Sequence, residues 1–190
     1  MKKIGHVLLL ALTLSCVFSC KKEDSQGVDK NRKVDDNIYM NFTIDGDGYK
    51  SQAMSIKGTA GIIGNQGCYN SLNDYTAAYV DDKPSDDTDY KNSASIAFAG
   101  ETTGTFSVVD EDSYPNEIII GLTRDAKSAI IIYDSNKDGS AAKINVTGYD
   151  AVGGYISGDF TATLFNPGNG NVVHITNGHF KVKRTADFKG

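Results

Sequence analysis

From Tyr155 to Phe165 the chain alternates without a break. Ile156, Gly158, Phe160, Ala162 and Leu164 fall on one parity, and Ser157, Asp159, Thr161 and Thr163 on the other. Successive side chains of a strand point to opposite faces, so a period of two marks a strand with one buried face. The next segment, Val172–Arg184, carries the same signal with one defect. Val173 and Ile175 share one parity, whereas Phe180 and Val182 share the other. A one-residue slip turns a strand's apolar set to the wrong face. One extra residue at Asn177-Gly178 restores the apolar face, which predicts a β-bulge there. Lys143–Asp150 reads as a third strand, and Pro167-Gly168-Asn169-Gly170-Asn171 as the turn joining the last two.

The rest of the chain punctuates in the same way. Ile38, Met40, Phe42 and Ile44 alternate with Tyr39, Asn41 and Thr43. Asp45-Gly46-Asp47-Gly48 follows, and Asp-Gly pairs supply the positive φ angles of a tight hairpin. The chain returns through Tyr49 to Ile56. Residues 57–92 are less regular, with a strand expected from Tyr75 to Val80. Gly58, Gly61, Gly64 and Gly67 recur at every third position. They do not form the G-x-G-x-x-G phosphate loop, and no helical pattern follows them. Asp81, Asp82, Asp86, Asp87 and Asp89 crowd an exposed acidic loop around Pro84. Short strands are then expected at Ser95–Phe98 and Gly104–Val109. Glu117–Thr123 and Ser128–Asp134 contain continuous isoleucine runs, which fit strands covered on both faces. Turn residues separate these strands at intervals of roughly eight to twelve positions, the spacing of an all-β sandwich or barrel.

The first twenty residues differ from everything that follows. Lys2 and Lys3 precede an apolar run from Ile4 to Phe18 with no Lys, Arg, Asp or Glu. At about fifteen residues it is short of the roughly twenty needed to span a bilayer. A basic start, a short apolar core and a small residue before the cut make the pattern of an export signal. Leu14-Ser15-Cys16-Val17-Phe18-Ser19-Cys20 resembles the end of a bacterial lipoprotein signal. In that family the cysteine becomes the new N-terminus and carries acyl chains. Leucine usually stands three residues before it, where this chain has Val17. Lys21-Lys22-Glu23-Asp24 resembles the surface-export signal of Bacteroidetes lipoproteins, with Lys22, Glu23 and Asp24 as the matching residues. Its alternative is a plain solvated tether. The resemblance implies lipidation at Cys20 and a bacterial outer-membrane location facing the cell exterior. One acyl chain holds a bilayer only marginally, at about 0.8 kcal/mol per buried methylene, and several chains on one cysteine meet the need for a second signal.

Composition narrows the function classes. Loss of residues 1–19 leaves 17 Lys and Arg, two fewer than the 19 of the whole chain, against 24 Asp and Glu, a net charge of −7. Phosphate contacts need clustered Lys and Arg, and Lys181, Lys183 and Arg184 are too few, so no nucleic-acid partner is expected. Of the three cysteines, Cys16 leaves with the signal and Cys20 is the lipidated residue. Cys68 alone cannot form an internal disulfide. Stability must come from a hydrophobic core, for which about 150 residues suffice.

Three segments carry a further resemblance. They are Ile144-Asn145-Val146-Thr147-Gly148-Tyr149-Asp150, Gly153-Gly154-Tyr155-Ile156-Ser157-Gly158-Asp159-Phe160, and Ile175-Thr176-Asn177-Gly178-His179-Phe180. Together they look like a group of small Bacteroidetes lipoproteins of unknown function. Its members share an "sGxF" strand, an "ItnGxF" strand and an earlier "GTF" strand, here Gly104-Thr105-Phe106. The resemblance implies a β-rich fold and carries over no catalytic residue.

Asp134-Ser135-Asn136-Lys137-Asp138-Gly139 matches the first half of a calcium loop, with Asp134, Asn136 and Asp138 as ligands. The twelfth position, where the loop needs glutamate, holds Asn145, and Lys137 adds a positive charge. The other reading is a polar hairpin turn. His174 and His179 both lie on the polar parity of the last strand, and zinc needs three or four ligands. There is no G-x-S-x-G nucleophile elbow. Tyr39, Tyr49, Tyr69, Tyr75, Tyr79 and Tyr90 cluster in the first half. Such residues suit binding surfaces and also ordinary strands. The reading is therefore a signal peptide at residues 1–19, a lipidated flexible tether at 20–37 and a single antiparallel β domain at 38–190. A sandwich is expected, with a small lipocalin-like β-barrel as the alternative. The expected function is non-enzymatic binding of a glycan, a small molecule or an envelope protein. A structural envelope component and a hydrolase of unrecognised type are the alternatives.

Overall fold

A computed structural model describes residues 34–59, 65–82, 92–108, 115–124, 129–136 and 139–189. Among them are eleven strands and no helix. In chain order they are β1 (Val34–Gly46), β2 (Tyr49–Thr59), β3 (Gln66–Asn70), β4 (Tyr75–Asp81), β5 (Ser93–Ala99), β6 (Gly104–Val108), β7 (Glu117–Leu122), β8 (Ile131–Asp134), β9 (Ala141–Tyr149), β10 (Tyr155–Phe165) and β11 (Val172–Lys183).

The strands pair antiparallel along one curled path, β2-β1-β11-β10-β8-β7-β5-β4-β3, with β9 and then β6 branching from β10. The branch makes a corner. Ile156 to Thr163 of β10 pair with β9, whereas Phe165 pairs with Asp134 of β8. Two layers result, β2-β1-β11-β10-β9-β6 and β8-β7-β5-β4-β3. Strands that change partners at a bend make such corners in sandwiches. The opposite seam is laced by the C-terminal segment. Arg184 and Phe188 form parallel bridges with Gly67 and Asn70 of β3. Thr185 N–H donates to Gly67 O and Phe188 N–H to Tyr69 O, both at 2.8 Å. The all-β antiparallel expectation is met. The arrangement is a sandwich of two layers closed toward a barrel at both seams.

One core fills the space between the layers. In β10, Ile156, Gly158, Phe160, Ala162 and Leu164 are all buried, the parity read from the sequence. They meet Ile38, Met40, Phe42 and Ile44 of β1, and Ile118, Ile120 and Leu122 of β7, in one cluster. Phe160 packs against Phe42 and Phe180, with ring centroids 6.1 and 6.4 Å away. Each such side chain contributes roughly 1.5–3 kcal/mol by leaving water.

The predicted bulge is present. Phe160 pairs with Gly178 and Ala162 with Ile175, so Thr161 faces both Thr176 and Asn177. Asn177 takes a left-handed backbone, φ +50°. The slip brings Phe180 and Val182 to the same face as Val173 and Ile175, and all four are buried. The first hairpin also turns as read. Gly46 pairs with Tyr49 around Asp47 (φ +44°) and Gly48 (φ +87°), a type I′ turn.

Other boundaries moved. β1 begins at Val34, so residues 34–37 belong to a strand rather than to the tether. Few of these side chains are apolar, but backbone pairing with β2 extends the strand, and Lys57 reaches Asp36 at 2.9 Å. β3 was not foreseen, because its Gly-Cys centre lacks a clear alternation. β7 is covered on both faces as expected. β8 is not: Ile132 is 37% exposed.

Candidate functional site

On the outer face of the β2-β1-β11-β10-β9-β6 layer, four neighbouring strands carry short outward residues beside Lys143 and His174. Register brings them together. Ser107 of β6 pairs with Lys143 of β9, and Lys143 with Thr161 of β10. Ala141 pairs with Thr163, and Thr163 with His174 of β11. Thr176 completes the patch beside the bulge. A shallow groove open to solvent results, with a volume of about 360 Å³, at the small end of ligand sites. A bulge bends its strand and increases local twist, and the one at Asn177 borders this concavity. The lining offers hydroxyl groups, alanine methyls, one ammonium and one imidazole. Thr163 Oγ1 and His174 Nδ1 lie 3.2 Å apart.

Of the residues predicted as a metal or export site, the described ones, Asp134 and Asn136, do not line this groove. Cys20, Lys22, Glu23, Asp24 and Asp138 lie outside the described residues. Asp134 ends β8, and its Oδ1 accepts the backbone N–H of Asn136 at 3.1 Å, the geometry of an Asx turn. The Asn136 side-chain amide donates to Glu117 Oε1. Among the described residues, no three His, Cys, Asp or Glu side chains are grouped closely enough to hold an ion. Glu117 was not singled out in the sequence. It is buried at 4% exposure, and desolvation pushes its carboxyl up to about 7, partly offset by the Asn136 hydrogen bond.

His174 and His179 both face outward. His179 Nδ1 meets Asp159 Oδ1 at 2.5 Å. Tyr75 and Tyr69 are engaged within the fold. Tyr75 is buried with Cys68, Ala77 and Ala97 in a second small cluster. Tyr69 donates to Asp74 at 2.8 Å. Tyr90 lies outside the described residues.

A second polar assembly joins three turns at one end of the fold. Tyr133 O–H donates to Asp47 Oδ2 at 2.5 Å, and Asn171 Nδ2 to Asp47 Oδ1 at 2.6 Å. Arg124 Nη2 donates to Asp47 O at 2.6 Å. The Tyr133 hydrogen bond holds the Asp47 carboxyl below its ordinary range, and burial raises the Tyr133 phenol. Every oxygen of Asp47 is engaged, so the assembly ties turns together and presents no free ligand-binding group on the carboxylate.

A scan against protein-family models matches none, and searches of curated proteins and of solved structures return no match. The likeness to Bacteroidetes lipoproteins thus rests on the residues quoted for it.

Proposed function

We propose that this protein is a lipid-anchored, non-enzymatic binding module of the bacterial outer membrane. It faces the cell exterior, and its groove over β6, β9, β10 and β11 takes a saccharide-type ligand. The observation that carries the reading is the groove itself. Four hydroxyl side chains, those of Ser107, Thr161, Thr163 and Thr176, line one shallow, solvent-open patch of the sheet. Hydroxyls and small apolar surfaces side by side suit a ligand that alternates polar and apolar faces. Thr163 and His174 do hydrogen-bond, but Asp45, the cross-strand partner of His174, accepts the Ser51 N–H and does not orient the imidazole. A nucleophile–base pair lacking its orienting group fits binding better than catalysis.

The test is a thermal-shift screen of the full chain in detergent against neutral and charged oligosaccharides. A ligand selective for the native state raises the melting temperature. Thr161→Tyr fills the groove from an exposed position. It should remove the shift while melting like the wild type. A blank screen would sink the saccharide reading in favour of a structural envelope component. That second reading is supported by the openness of the groove, which leaves a ligand exposed to solvent on one side.

The anchor has its own test. Cys20→Ser should abolish acylation in the intact mass and release the protein from the membrane fraction. Replacing Lys22, Glu23 and Asp24 together with Ala should protect it from protease added to whole cells. Protease sensitivity equal to that of the wild type would reduce those residues to a tether.

A further inference from the structure

We propose that one end of the fold rests on the bilayer, with Leu72 and Val152 as the side chains that enter the lipid interface. The inference rests on the anchor at Cys20. It adds the surface that meets the membrane and the direction in which the groove is held.

Connectivity defines that end. Tyr39 of β1 pairs with Lys181 of β11, and Tyr155 of β10 with Lys183. β1 is antiparallel to β11, so Val34, five residues before Tyr39, stands at the end where β11 finishes and β10 begins. Three turns and the C-terminal segment interlock there. Gly153 N–H donates to Arg184 O and Arg184 N–H to Gly154 O, both at 2.9 Å. Ser71 N–H donates to Phe188 O at 3.1 Å, and Gly100 N–H to Asp74 O at 2.8 Å. Leu72 and Val152 are the tips of two of these turns, at 62% and 53% exposure. The third exposed large apolar side chain among the described residues, Ile132, sits on the flank of β8. At the opposite end Asn171 ties its turn to Asp47. Asp47-Gly48 and residues 166–171 consist of Asp, Asn, Gly and Pro alone.

Chain length decides which end can meet lipid. Thirteen residues, 21–33, separate Cys20 from β1. Fully extended, such a segment spans at most about 45 Å. β1 itself has 13 residues, about 43 Å at roughly 3.3 Å each. The opposite end reaches the bilayer only with the segment drawn out along the whole strand, whereas the near end reaches it at every shorter extension. The tips also suit lipid. Leu72 N–H donates to Asn70 Oδ1 at 3.0 Å, and the N–H groups of Gly153 and Gly154 to the carbonyls of Arg184 and Ala151. Entry therefore brings few unpaired amides into an apolar medium. The neighbouring carboxylates are engaged as well. Glu101 and Asp187 pair with Arg184, Asp74 accepts the Tyr69 hydroxyl, and Asp150 accepts the Tyr155 N–H. Removing two aliphatic side chains from water is then favourable. The groove, at Thr163 and His174, lies toward the opposite ends of β10 and β11 and stays clear of the lipid.

The test uses the protein purified from bacterial membranes, in phosphatidylcholine nanodiscs containing a lipid spin-labelled on its acyl chain just below the headgroup. Amides of residues 71–74 and 150–154 should lose intensity to the label, and those of Asp47, Gly48 and residues 168–171 should keep theirs. Leu72→Ser combined with Val152→Ser, both exposed changes, should restore most of the lost intensity while the protein melts like the wild type. Loss at the Asp47 turn instead overturns the orientation. Loss that the double variant does not relieve overturns the part given to the two side chains. Intact mass keeps this inference and the anchor apart. A chain without acyl mass brings down both. An acylated chain whose two turns lose no intensity overturns the inference alone and leaves the anchor standing.

Discussion

Glu117 is a buried carboxyl whose chemistry departs far from its ordinary value. Its carboxyl titrates at about 7 in the fold, against 4.5 ordinarily, because burial disfavours the charged form. The folded state therefore holds this proton more tightly than the unfolded chain. Stability from the group is complete below about pH 4.5 and is lost as pH rises through 7. The loss amounts to about 3 kcal/mol. Glu117→Gln carries no charge, so its unfolding free energy should lack this fall. Urea titrations of both proteins at pH 5 and pH 8 measure the difference, and parallel slopes would refute the assignment. Asp47 acts in another window. Tyr133 lowers its folded value, so its contribution is present above the ordinary carboxylate range and disappears only in stronger acid. Tyr133→Phe keeps the buried ring and deletes one hydrogen bond to that charge. It should cost about 1–2 kcal/mol in denaturant unfolding, since the turn is rimmed by solvent. Asp47 was legible in the chain as a turn residue but not as the centre of this assembly, and Glu117 was not legible as special at all. Glu117 heads an isoleucine run, and its burial depends on neighbours in β5 and β8 that lie far from it in sequence.

At the scale of elements, the bulge in β11 joins sequence pattern to site shape. The parity break between Ile175 and Phe180 demanded an extra residue, and the structure places the left-handed residue at Asn177. Gly178 is needed for a different reason. A Cβ there would lie 2.7 Å from Phe160 Cγ and collide with the Phe160 carbonyl oxygen. Gly178→Ala should therefore destabilise by about 3 kcal/mol through overpacking. Asn177→Gly keeps the backbone conformation and should change stability by less than about 1 kcal/mol. Thermal melts of the two variants separate crowding from backbone strain. If both melt alike, the crowding account is wrong. The strands with strict alternation, β1 and β10, and β11 with its single parity break, were legible because each buries one face. β3 was not, because Gly67 takes the inward place that a larger side chain would mark. A Cβ at Gly67 would meet Ile156 Cδ1 at 2.8 Å. Its smallness is imposed by the facing layer.

For the whole molecule, closure depends on the last few residues. Arg184 lies over the Tyr149 ring at 4.6 Å, with Glu101 and Asp187 at 3.2 and 3.0 Å. The segment it begins hydrogen-bonds to β3, which among the described residues otherwise pairs with β4 alone. Removing residues 184–190 should release that edge first. Amide exchange in Gln66–Asn70 should rise well before exchange in β10, whose protection reflects global unfolding. Uniform protection after truncation would show that the seam is held by other contacts.

Local alternation and turn chemistry were enough to determine an all-β antiparallel chain, most of its strands, the type I′ hairpin at Asp47-Gly48 and the bulge beside Gly178. These follow from interactions within a few residues, or from one face of one strand. Tertiary structure alone decided the corner at Phe165, the C-terminal lacing onto β3, the burial of Glu117 and the groove around Thr161. Each of these arises where side chains distant in sequence are brought side by side by register between strands. A single chain read in order carries no record of which strands will become neighbours.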